Sequence, residues 1–324
     1  MPKSCLPLRL GLIAALLCTL SLSACSLNEF LPGPPVAEEA ASGSNVPIGA
    51  RHFGVYLTGA PWSHEIGRER LELELGRSFD MVLWFTSFED PFEPLPVERI
   101  LAAGQLPIVT WQAHEVPLAS IAAGEQDAYL RGWAQSIRTL DGDVYLRPLP
   151  EMNGDWVPWN GEPEVFKQAW RHMVELFRAE GADNVKWVWC PNITDWPRTE
   201  MNRFENYYPG TAYVDVLALD GFNWGTARPQ HVWRSFDEVF AEPYERITKL
   251  GAQPLWLTEV ASAEQGGDKA AWVKDMLSTT DYPQMEGVVW FNERKEADWR
   301  IESTARSLNA FASWFGSQAL AEGR

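Results

Sequence analysis

Eight short apolar segments recur along this chain at intervals that suit one architecture. They begin at residues 52, 80, 106, 143, 185, 214, 254 and 287, so that successive starts are 26 to 42 residues apart. Each segment is almost continuously hydrophobic, as strands of a parallel sheet are when both faces of the sheet are covered. The intervals leave room for a crossover helix between consecutive parallel strands. The spacing therefore predicts repeated β-then-α units.

Helical patterns lie between the predicted strands. The segments EQDAYLRGWAQSIRTL (125–140) and EVFKQAWRHMVELFRAEG (164–181) place apolar residues at helical spacing, and the second ends on Gly181, as helices commonly do. We expect a helix after each strand. Eight such units in about 270 residues favour an α/β chain with one closed (β/α)8 TIM barrel over an open doubly wound sheet with a glycine-rich phosphate turn.

The first residues have the composition of an export signal. Lys3 and Arg9 precede the apolar run LGLIAALLCTLSL, which is too short to span a membrane and is followed by small residues. Leu22-Ser23-Ala24-Cys25 is similar to the lipobox of bacterial lipoproteins, and this similarity implies cleavage before Cys25 and lipidation of that cysteine. Two or more acyl chains anchor a protein stably. An ordinary signal that happens to contain a cysteine is the alternative.

These features divide the chain into four parts. We expect a signal peptide at 1–24, a flexible tether at 25–47, a barrel domain at 48–316 and a C-terminal tail at 317–324. By analogy with lipoprotein sorting, Ser26 in place of aspartate favours the outer membrane, where the host has one, for this exported and lipid-anchored protein. Cys190 would be the one unmodified cysteine of the mature chain, so no disulfide is expected within it.

Composition narrows the choice of partner. The formal net charge of −17 opposes binding to nucleic acids and to strongly anionic polymers, so a neutral ligand is the easier partner. The five histidines are scattered without an H-E-x-x-H motif, and there is no G-x-S-x-G elbow. We expect a monomer that needs neither a metal nor a cofactor.

The residues at the predicted strand ends indicate the chemistry, since the functional sites of (β/α)8 barrels lie at the C-terminal ends of the strands. The candidates there are polar or aromatic: Trp111, His114, Arg147, Glu151, Asn192, Asp220, Asn223, Glu259, Trp290 and Asn292.

Three of these candidates are carboxylic acids, and two facing carboxyls are what cleavage of a glycosidic bond requires. Glu151, Asp220 and Glu259 are the candidates. The strand order leaves the pairing open, because strands six and seven are neighbours whereas strands four and seven face each other across the barrel mouth. A single such acid is more often structural, in a helix cap or an ion pair.

Tryptophan gives a second indication, because an exposed indole stacks on the apolar face of a pyranose. The chain has 17 tryptophans. Trp84, Trp187 and Trp189 lie inside apolar runs and are expected to pack in the core. Trp156 and Trp159 lie in a polar loop, where burial explains them less well, so we expect them to be sugar platforms.

Several segments together resemble glycoside hydrolase family 26, the retaining barrel enzymes that include β-mannanases and some mixed-linkage β-glucanases. The matching segments are LRPLPEMNGDWVPW, VKWVWCPN, YPGTAYVDVLALDGFNWGT, PLWLTEVAS and GVVWFNERKEADWRI. The resemblance implies that Glu151 is the acid/base and Glu259 the nucleophile, with their carboxyl groups about 5 to 5.5 Å apart. Asp220 then has a supporting role.

The predicted function is retaining endo-hydrolysis of a neutral β-linked polysaccharide, a β-mannan or β-glucan. The predicted substrate contacts are Trp111, His114, Arg147, Asn153, Trp156, Trp159, Asn192, Phe222, Trp224 and Trp290.

Two positions depart from the family pattern, which commonly has histidine where this chain has Pro150 and tyrosine where it has Phe222. Both changes remove a hydrogen-bonding group close to a catalytic carboxyl. They motivate the alternative of a catalytically weakened or inactive carbohydrate-binding lipoprotein that handles exopolysaccharide. A transglycosylase is a third hypothesis, which differs only in the acceptor.

Overall fold

The chain folds into a closed barrel of eight parallel strands. The computed structural model describes residues 46–62 and 65–322. The strands follow one another around the barrel in chain order, and β1 pairs with β8 to close it. They are β1 His52–Tyr56, β2 Met81–Ser87, β3 Leu106–Gln112, β4 Val144–Pro148, β5 Val185–Trp189, β6 Val216–Asn223, β7 Leu255–Ser262 and β8 Met285–Phe291. The predicted (β/α)8 barrel and its eight strands are confirmed.

Helices cover the outside of the barrel. They are α1 Glu65–Leu75, α2 Pro94–Ala102, α3 Leu118–Ala122, α4 Asp127–Ile137, α5 Pro163–Ala179, α6 Phe236–Ile247, α7 Lys269–Ser278 and α8 Ala305–Glu322. Both helices that the periodicity predicted are present as α4 and α5. The backbone turns just after α5, at Gly181, which has a φ of 75°. Glycine adopts this left-handed conformation at little cost.

The expectation of a helix after every strand is wrong at one place. Within the described residues, β5 and β6 are joined by three short 3₁₀ turns, at Glu200–Asn202, Phe204–Tyr207 and Thr211–Tyr213. The connection contains Pro191, Pro197 and Pro209. Each proline removes a backbone donor and disfavours helical conformation before it, so a continuous helix does not form.

The C-terminal boundary of the barrel domain differs from the expected one. The final helix continues to Glu322, past the boundary expected at 316, so no separate tail begins at 317. The predicted signal peptide, Cys25 and nearly all of the tether lie outside the described residues. Among residues 46–62 and 65–322, every helix is too short or too polar to cross a bilayer.

Two apolar layers result from the alternation of side chains along the strands. In β2, Met81 and Leu83 point into the barrel, whereas Val82 and Trp84 pack outward beneath the helices. The interior layer also contains Ile108, Val188, Cys190, Val216, Ala218, Trp256 and Val289. Trp84, Trp187 and Trp189 are buried in the outer layer, as predicted.

The inward positions become polar towards the C-terminal ends of the strands. Val216 and Ala218 of β6 belong to the interior layer, and Asp220 is two residues further along the same face. In β7, Trp256 and Thr258 follow the same alternation, and the pairing with β8 then shifts register between Leu257 and Val260. Such an irregularity re-aims side chains. As a result, Glu259 as well as Thr258 reaches inward.

Candidate active site

Glu151 occupies an unusual turn at the end of β4. Leu149 and Glu151 have φ values of 52° and 57°, in the left-handed region that non-glycine residues rarely adopt. The amide of Leu149 donates to the carbonyl of Trp111 at 2.9 Å, and the amide of Glu151 donates to the carbonyl of Cys190 at 2.7 Å. Strained residues of this kind persist where their surroundings hold them and cluster at active sites. The two neighbouring strands therefore hold this turn and direct the Glu151 side chain.

The carboxyl of Glu151 has a donor on each oxygen. Asn192 Nδ2 donates to Oε1 and Trp156 Nε1 donates to Oε2, both at 2.6 Å. Burial and the nearby charge of Glu259 raise the pKa of Glu151, whereas the two hydrogen bonds and Arg147 oppose the shift. The net effect favours the protonated acid compared with an exposed glutamate. A proton donor needs this property.

Glu259 is held by an arginine beneath it. Arg147 Nη2 donates to Glu259 Oε1 at 2.5 Å and to Asp220 Oδ2 at 2.8 Å. The Arg147 side chain is fully buried, whereas that of Glu259 retains 12% of its surface. Burial opposes the charge of Arg147, but Asp220 and Glu259 reverse this effect, and the net pKa is raised. The guanidinium thus orients the Glu259 carboxylate and places a positive charge next to it.

Asp220 belongs to the buried network under the site. Its Oδ2 accepts from Arg147 and its Oδ1 accepts from Thr258 Oγ1 at 2.8 Å, while Cys190 Sγ lies 3.0 Å from the same hydroxyl. Asp220 has no accessible surface. Of the three acids that the sequence left open, only Glu151 and Glu259 are therefore accessible to a ligand.

Asn153 and Asn192 are joined by two hydrogen bonds. Asn153 Nδ2 donates to the backbone carbonyl of Asn192 and to Asp195 Oδ1, and its Oδ1 accepts from the amide of Asn192 at 2.9 Å. Asn153 is fully buried, so the prediction of a direct substrate contact is wrong for this residue. Asn153 instead fixes the segment that carries Asn192. Asn192 is partly exposed and contacts Glu151.

The two tryptophans of the β4–α5 loop have different environments. Trp156 is 49% exposed, and its ring lies directly on Gly154, where a Cβ atom would come within 2.3 Å of the indole. Trp159 is only 1% exposed and donates from Nε1 to the carbonyl of Pro150 at 2.7 Å. The expectation of a sugar platform is compatible with the placement of Trp156 and wrong for Trp159, which supports the turn of Glu151 from behind. His114 packs against Trp159 at a centroid distance of 5.1 Å and is itself exposed.

Trp111, Trp290 and Arg147 are also too buried to contact a substrate in this structure. Trp111 stacks between Phe88 and Trp133, with centroids 4.3 and 4.1 Å away, on the outward face of β3. Trp290 is fully buried on the outward face of β8. The predicted contacts with substrate are wrong for these three residues, because alternation turns both tryptophans towards the helices and Arg147 lies beneath Glu259.

Aromatic side chains line the part of the barrel mouth formed by β1, β2, β6 and β8. Phe222 and Trp224 are partly exposed, and Phe222 packs on Phe291, which stacks on Tyr56 at 4.8 Å. Tyr56 in turn contacts Phe85 edge to face at 5.0 Å. We call Phe222 and Trp224 the aromatic wall. Tyr56, Phe85 and Phe291 were not predicted, because they lie within apolar runs that read as core.

Trp196 is another exposed aromatic residue near the site that the sequence reasoning missed. It is 49% exposed, and its amide donates to the carbonyl of Asn153 at 2.8 Å. Its segment pairs with Gly154 beside Trp156. The available signal was a tryptophan in the polar, proline-containing segment NITDWP.

Other chemistries find no support in the part of the chain that the structure describes. No group of three His, Cys, Asp or Glu side chains there is arranged to hold a metal ion. Cys190 is buried, and burial raises the pKa of its thiol well above the usual value, which disfavours a thiolate nucleophile.

A family model and several relatives match this chain. Residues 125–284 match the model of glycosyl hydrolase family 26. Endoglucanase H of Acetivibrio thermocellus is 35% identical over 257 residues, which are 75% of this chain and 28% of that protein. A mannan endo-1,4-beta-mannosidase of Bacillus subtilis is 26% identical over 176 residues, 50% of this chain and 43% of that protein. The chain thus spans less than half the length of either relative.

Solved structures share the fold. A beta-mannanase from Bacteroides ovatus superimposes with a TM-score of 0.60 at 17% identity, covering 85% of this chain and 90% of that one. An endo-beta-1,4-mannanase of Cellulomonas fimi gives 0.59 at 18% identity, covering 85% and 74%. At these identities the likeness is one of barrel architecture. The match to the family model and the relative at 35% identity show that this chain belongs to glycosyl hydrolase family 26.

Proposed function

We propose that this chain is a retaining endo-β-glycosidase that hydrolyses a neutral β-linked polysaccharide of the β-mannan or β-glucan type. The observation that carries the proposal is the pair Glu151 and Glu259. They come from strands on opposite sides of the barrel, both are accessible, and the charge of Glu259 affects the pKa of Glu151. Two such carboxyls are sufficient for cleavage of a glycosidic bond.

In the first step, a Glu259 carboxylate oxygen attacks the anomeric carbon while the bond to the leaving oxygen breaks. Glu151 donates its proton to that oxygen, so the departing chain leaves as a neutral alcohol. Arg147 holds the attacking carboxylate from below through Oε1, and the second oxygen of Glu259 is left for the sugar. The product of this step is a covalent glycosyl ester on Glu259.

In the second step, Glu151 has become a carboxylate and acts as a base. It takes a proton from water as the water oxygen attacks the anomeric carbon, and the ester bond to Glu259 breaks. Two displacements at the same carbon restore the original configuration. Trp156 and Asn192 donate to Glu151 and stabilise its ionised form, which exists between the two steps.

The substrate class follows from the surroundings of the two glutamates. Trp156 offers a half-exposed indole next to the proton donor, and the aromatic wall adds further ring surface, as sugar recognition requires. The formal charge of −17 favours a neutral polymer. The relatives are named an endoglucanase and a mannosidase acting within mannan, which supports a β-glucan or β-mannan.

A substrate panel tests this proposal. Wild type is incubated with mannan, mixed-linkage glucan, xylan and the exopolysaccharide of the host, and the products are identified by mass spectrometry. We expect oligosaccharides and new reducing ends from a mannan or a glucan, and none from Glu259→Ala. Undiminished turnover by Glu259→Ala would refute the assignment of the nucleophile. Products joined to sugar acceptors would indicate transglycosylation.

A carbohydrate-binding protein without catalysis is the second candidate, and Phe222 is the observation that favours it. Its ring packs among Trp224, Phe291 and Trp299 and offers no hydrogen bond to Glu259. The family commonly has tyrosine at this position, so its hydroxyl group is missing here. Binding of an oligosaccharide that wild type leaves uncleaved at high protein concentration would favour this candidate.

We also propose that the protein is exported and anchored through lipidated Cys25. The support is the sequence Leu22-Ser23-Ala24-Cys25 after a short apolar run. Labelling of the host with a fatty-acid analogue tests this proposal. We expect label on wild type and none on Cys25→Ser, and label on both would refute it.

A further inference from the structure

A buried lysine organises a loop next to the proposed site. Lys269, the first residue of α7, is 1% exposed. Its Nζ donates to the carbonyl of Arg300 at 2.7 Å, to the carbonyl of Trp299 at 3.2 Å and to Ser303 Oγ at 2.9 Å. A buried ammonium is tolerated when such acceptors surround it. We call residues 298–303 the mouth loop, because they follow β8 at the C-terminal end of the barrel.

The mouth loop is also tied to two strands. Trp290 Nε1 in β8 donates to the carbonyl of Trp299 at 2.8 Å, and Asn292 Oδ1 accepts from the amide of Ile301 at 2.6 Å. Ser303 Oγ donates to Glu264 Oε1 at 2.6 Å, just beyond β7. Lys269 is the group that joins several carbonyls of the loop at one point.

The mouth loop supports the aromatic wall. Trp299, which is 1% exposed, packs against Phe222 with centroids 5.1 Å apart and against Trp224 edge to face at 4.9 Å. Phe222 and Trp224 are the partly exposed residues of this cluster. The position of Trp299 therefore determines how the wall is presented to a ligand.

We propose that Lys269 is a positioning residue for sugar binding, because its ammonium fixes the mouth loop and through Trp299 the aromatic wall. This inference rests on the proposed function in that the ligand of the wall is a polysaccharide. Lys269 does not touch the substrate or the two glutamates. Its loss should weaken substrate binding and leave the chemical step largely unchanged.

The charges around Lys269 make the arrangement sensitive to pH. Burial lowers the pKa of Lys269 to about 8, although Glu264, Asp298 and Glu302 oppose this shift, and Arg300 adds to it. Opening of the mouth loop would hydrate Lys269 and return its pKa towards the ordinary value, so opening takes up a proton between the two pKa values. The loop should therefore open less readily as the pH increases through about 8, and the KM for a polysaccharide should not rise.

Global stability should respond in the same direction. The pKa of Lys269 is lower in the folded chain than its ordinary value of 10.5, so unfolding takes up a proton between about pH 8 and that value. Over this window the contribution of Lys269 to the free energy of unfolding rises with pH.

Hydrogen exchange of the full chain tests the structural step. Lys269→Met removes the charge at similar length, and Lys274→Met makes the same change at an exposed position of the same helix. We expect faster exchange in residues 298–303 of Lys269→Met at pH 7 and unchanged exchange in Lys274→Met. Unchanged protection of 298–303 in Lys269→Met would overturn the inference.

Kinetics test the functional step. If Lys269→Met displaces the aromatic wall, its KM should rise about three- to tenfold. Its kcat should stay within about twofold of wild type. The wild-type KM should not rise between about pH 7 and pH 9, because deprotonation of Lys269 favours the closed loop. An equal loss in kcat, or an unchanged KM with a loosened loop, would overturn the positioning role.

Two further outcomes, an unfolded variant and an inactive wild type, still allow the inference to be tested. If Lys269→Met does not fold, the wild-type protein at pH 7 and pH 9 supplies the test, with exchange corrected for intrinsic rates. Absence of a pH-dependent change in 298–303 would then overturn the inference. If wild type cleaves none of the polysaccharides, the proposed function fails, while hydrogen exchange still decides whether Lys269 holds the loop.

Discussion

Arg147 and Glu259 form the contact on which the site depends: Nη2 of the buried arginine donates to Oε1 of the glutamate at 2.5 Å and, from the same nitrogen, to Asp220 Oδ2 at 2.8 Å. The Arg147 guanidinium thus binds both the accessible carboxylate of Glu259 and the inaccessible carboxylate of Asp220. Removal of each acid should have a different effect.

Asp220→Ala should mainly reduce stability. It leaves the buried Arg147 without its fully buried partner, and breaking a buried ion pair costs about 3–5 kcal/mol. We expect a loss of this size in the free energy of unfolding measured with urea. Glu164→Ala is the control, because it removes an exposed pair with Lys167 that should contribute less than about 1 kcal/mol. Equal losses in the two variants would contradict the buried-pair account.

Trp156→Phe should change the pH dependence of the reaction. The indole donates to Glu151 Oε2 and thereby lowers the pKa of that carboxyl, so its removal should raise the pKa. The alkaline limb of kcat/KM should move to higher pH by up to about one unit, since one unit corresponds to about 1.4 kcal/mol. Trp196→Phe is the control, because this indole is equally exposed but does not donate to Glu151. A shift to lower pH would contradict the prediction.

Glu151→Ala should abolish the alkaline limb itself. The raised pKa of Glu151 keeps the acid protonated at higher pH than usual, and activity is lost as the pH rises through that pKa. General acid catalysis contributes about 10²–10⁴-fold, so the variant should lose this factor on polysaccharide. It should lose much less on an aryl glycoside whose leaving group needs no proton. Equal losses on both substrates would argue against Glu151 as the proton donor.

Trp159→Phe should act on stability, unlike a change at a sugar platform. The buried indole donates to the carbonyl of Pro150, and the substitution leaves that buried carbonyl without this donor. A loss of about 1–3 kcal/mol in the free energy of unfolding is expected. The KM should change less than in Trp156→Phe, measured on the same polysaccharide. A large rise in KM without loss of stability would restore Trp159 as a binding residue.

The barrel was predictable because each buried parallel strand is a nearly continuous apolar run, and all eight runs are strands. The connection after β5 was not predictable from the spacing of the strands, which shows only that there is room for a helix. Pro191, Pro197 and Pro209 prevent a continuous helix there. The final helix also continues past the domain boundary expected at residue 316.

The site was predictable at its acids and less so at its aromatics. Glu151 and Glu259 follow apolar runs, where a carboxyl stands out in the sequence. Trp156 and Trp159 look alike in sequence, and only the fold shows that the second indole reaches Pro150. The aromatic residues missed at the mouth, such as Tyr56 and Phe85, continue the apolar pattern of their strands, so their exposure depends on strand length and loop geometry.

Covalent trapping tests the central claim most directly. Wild type is incubated with activated 2-deoxy-2-fluoro glycosides of the gluco and manno series, digested, and mapped by mass spectrometry. A retaining mechanism with the nucleophile on β7 predicts one glycosyl adduct, located on Glu259. An adduct on another residue, or steady turnover to the inverted anomer without any adduct, would contradict it.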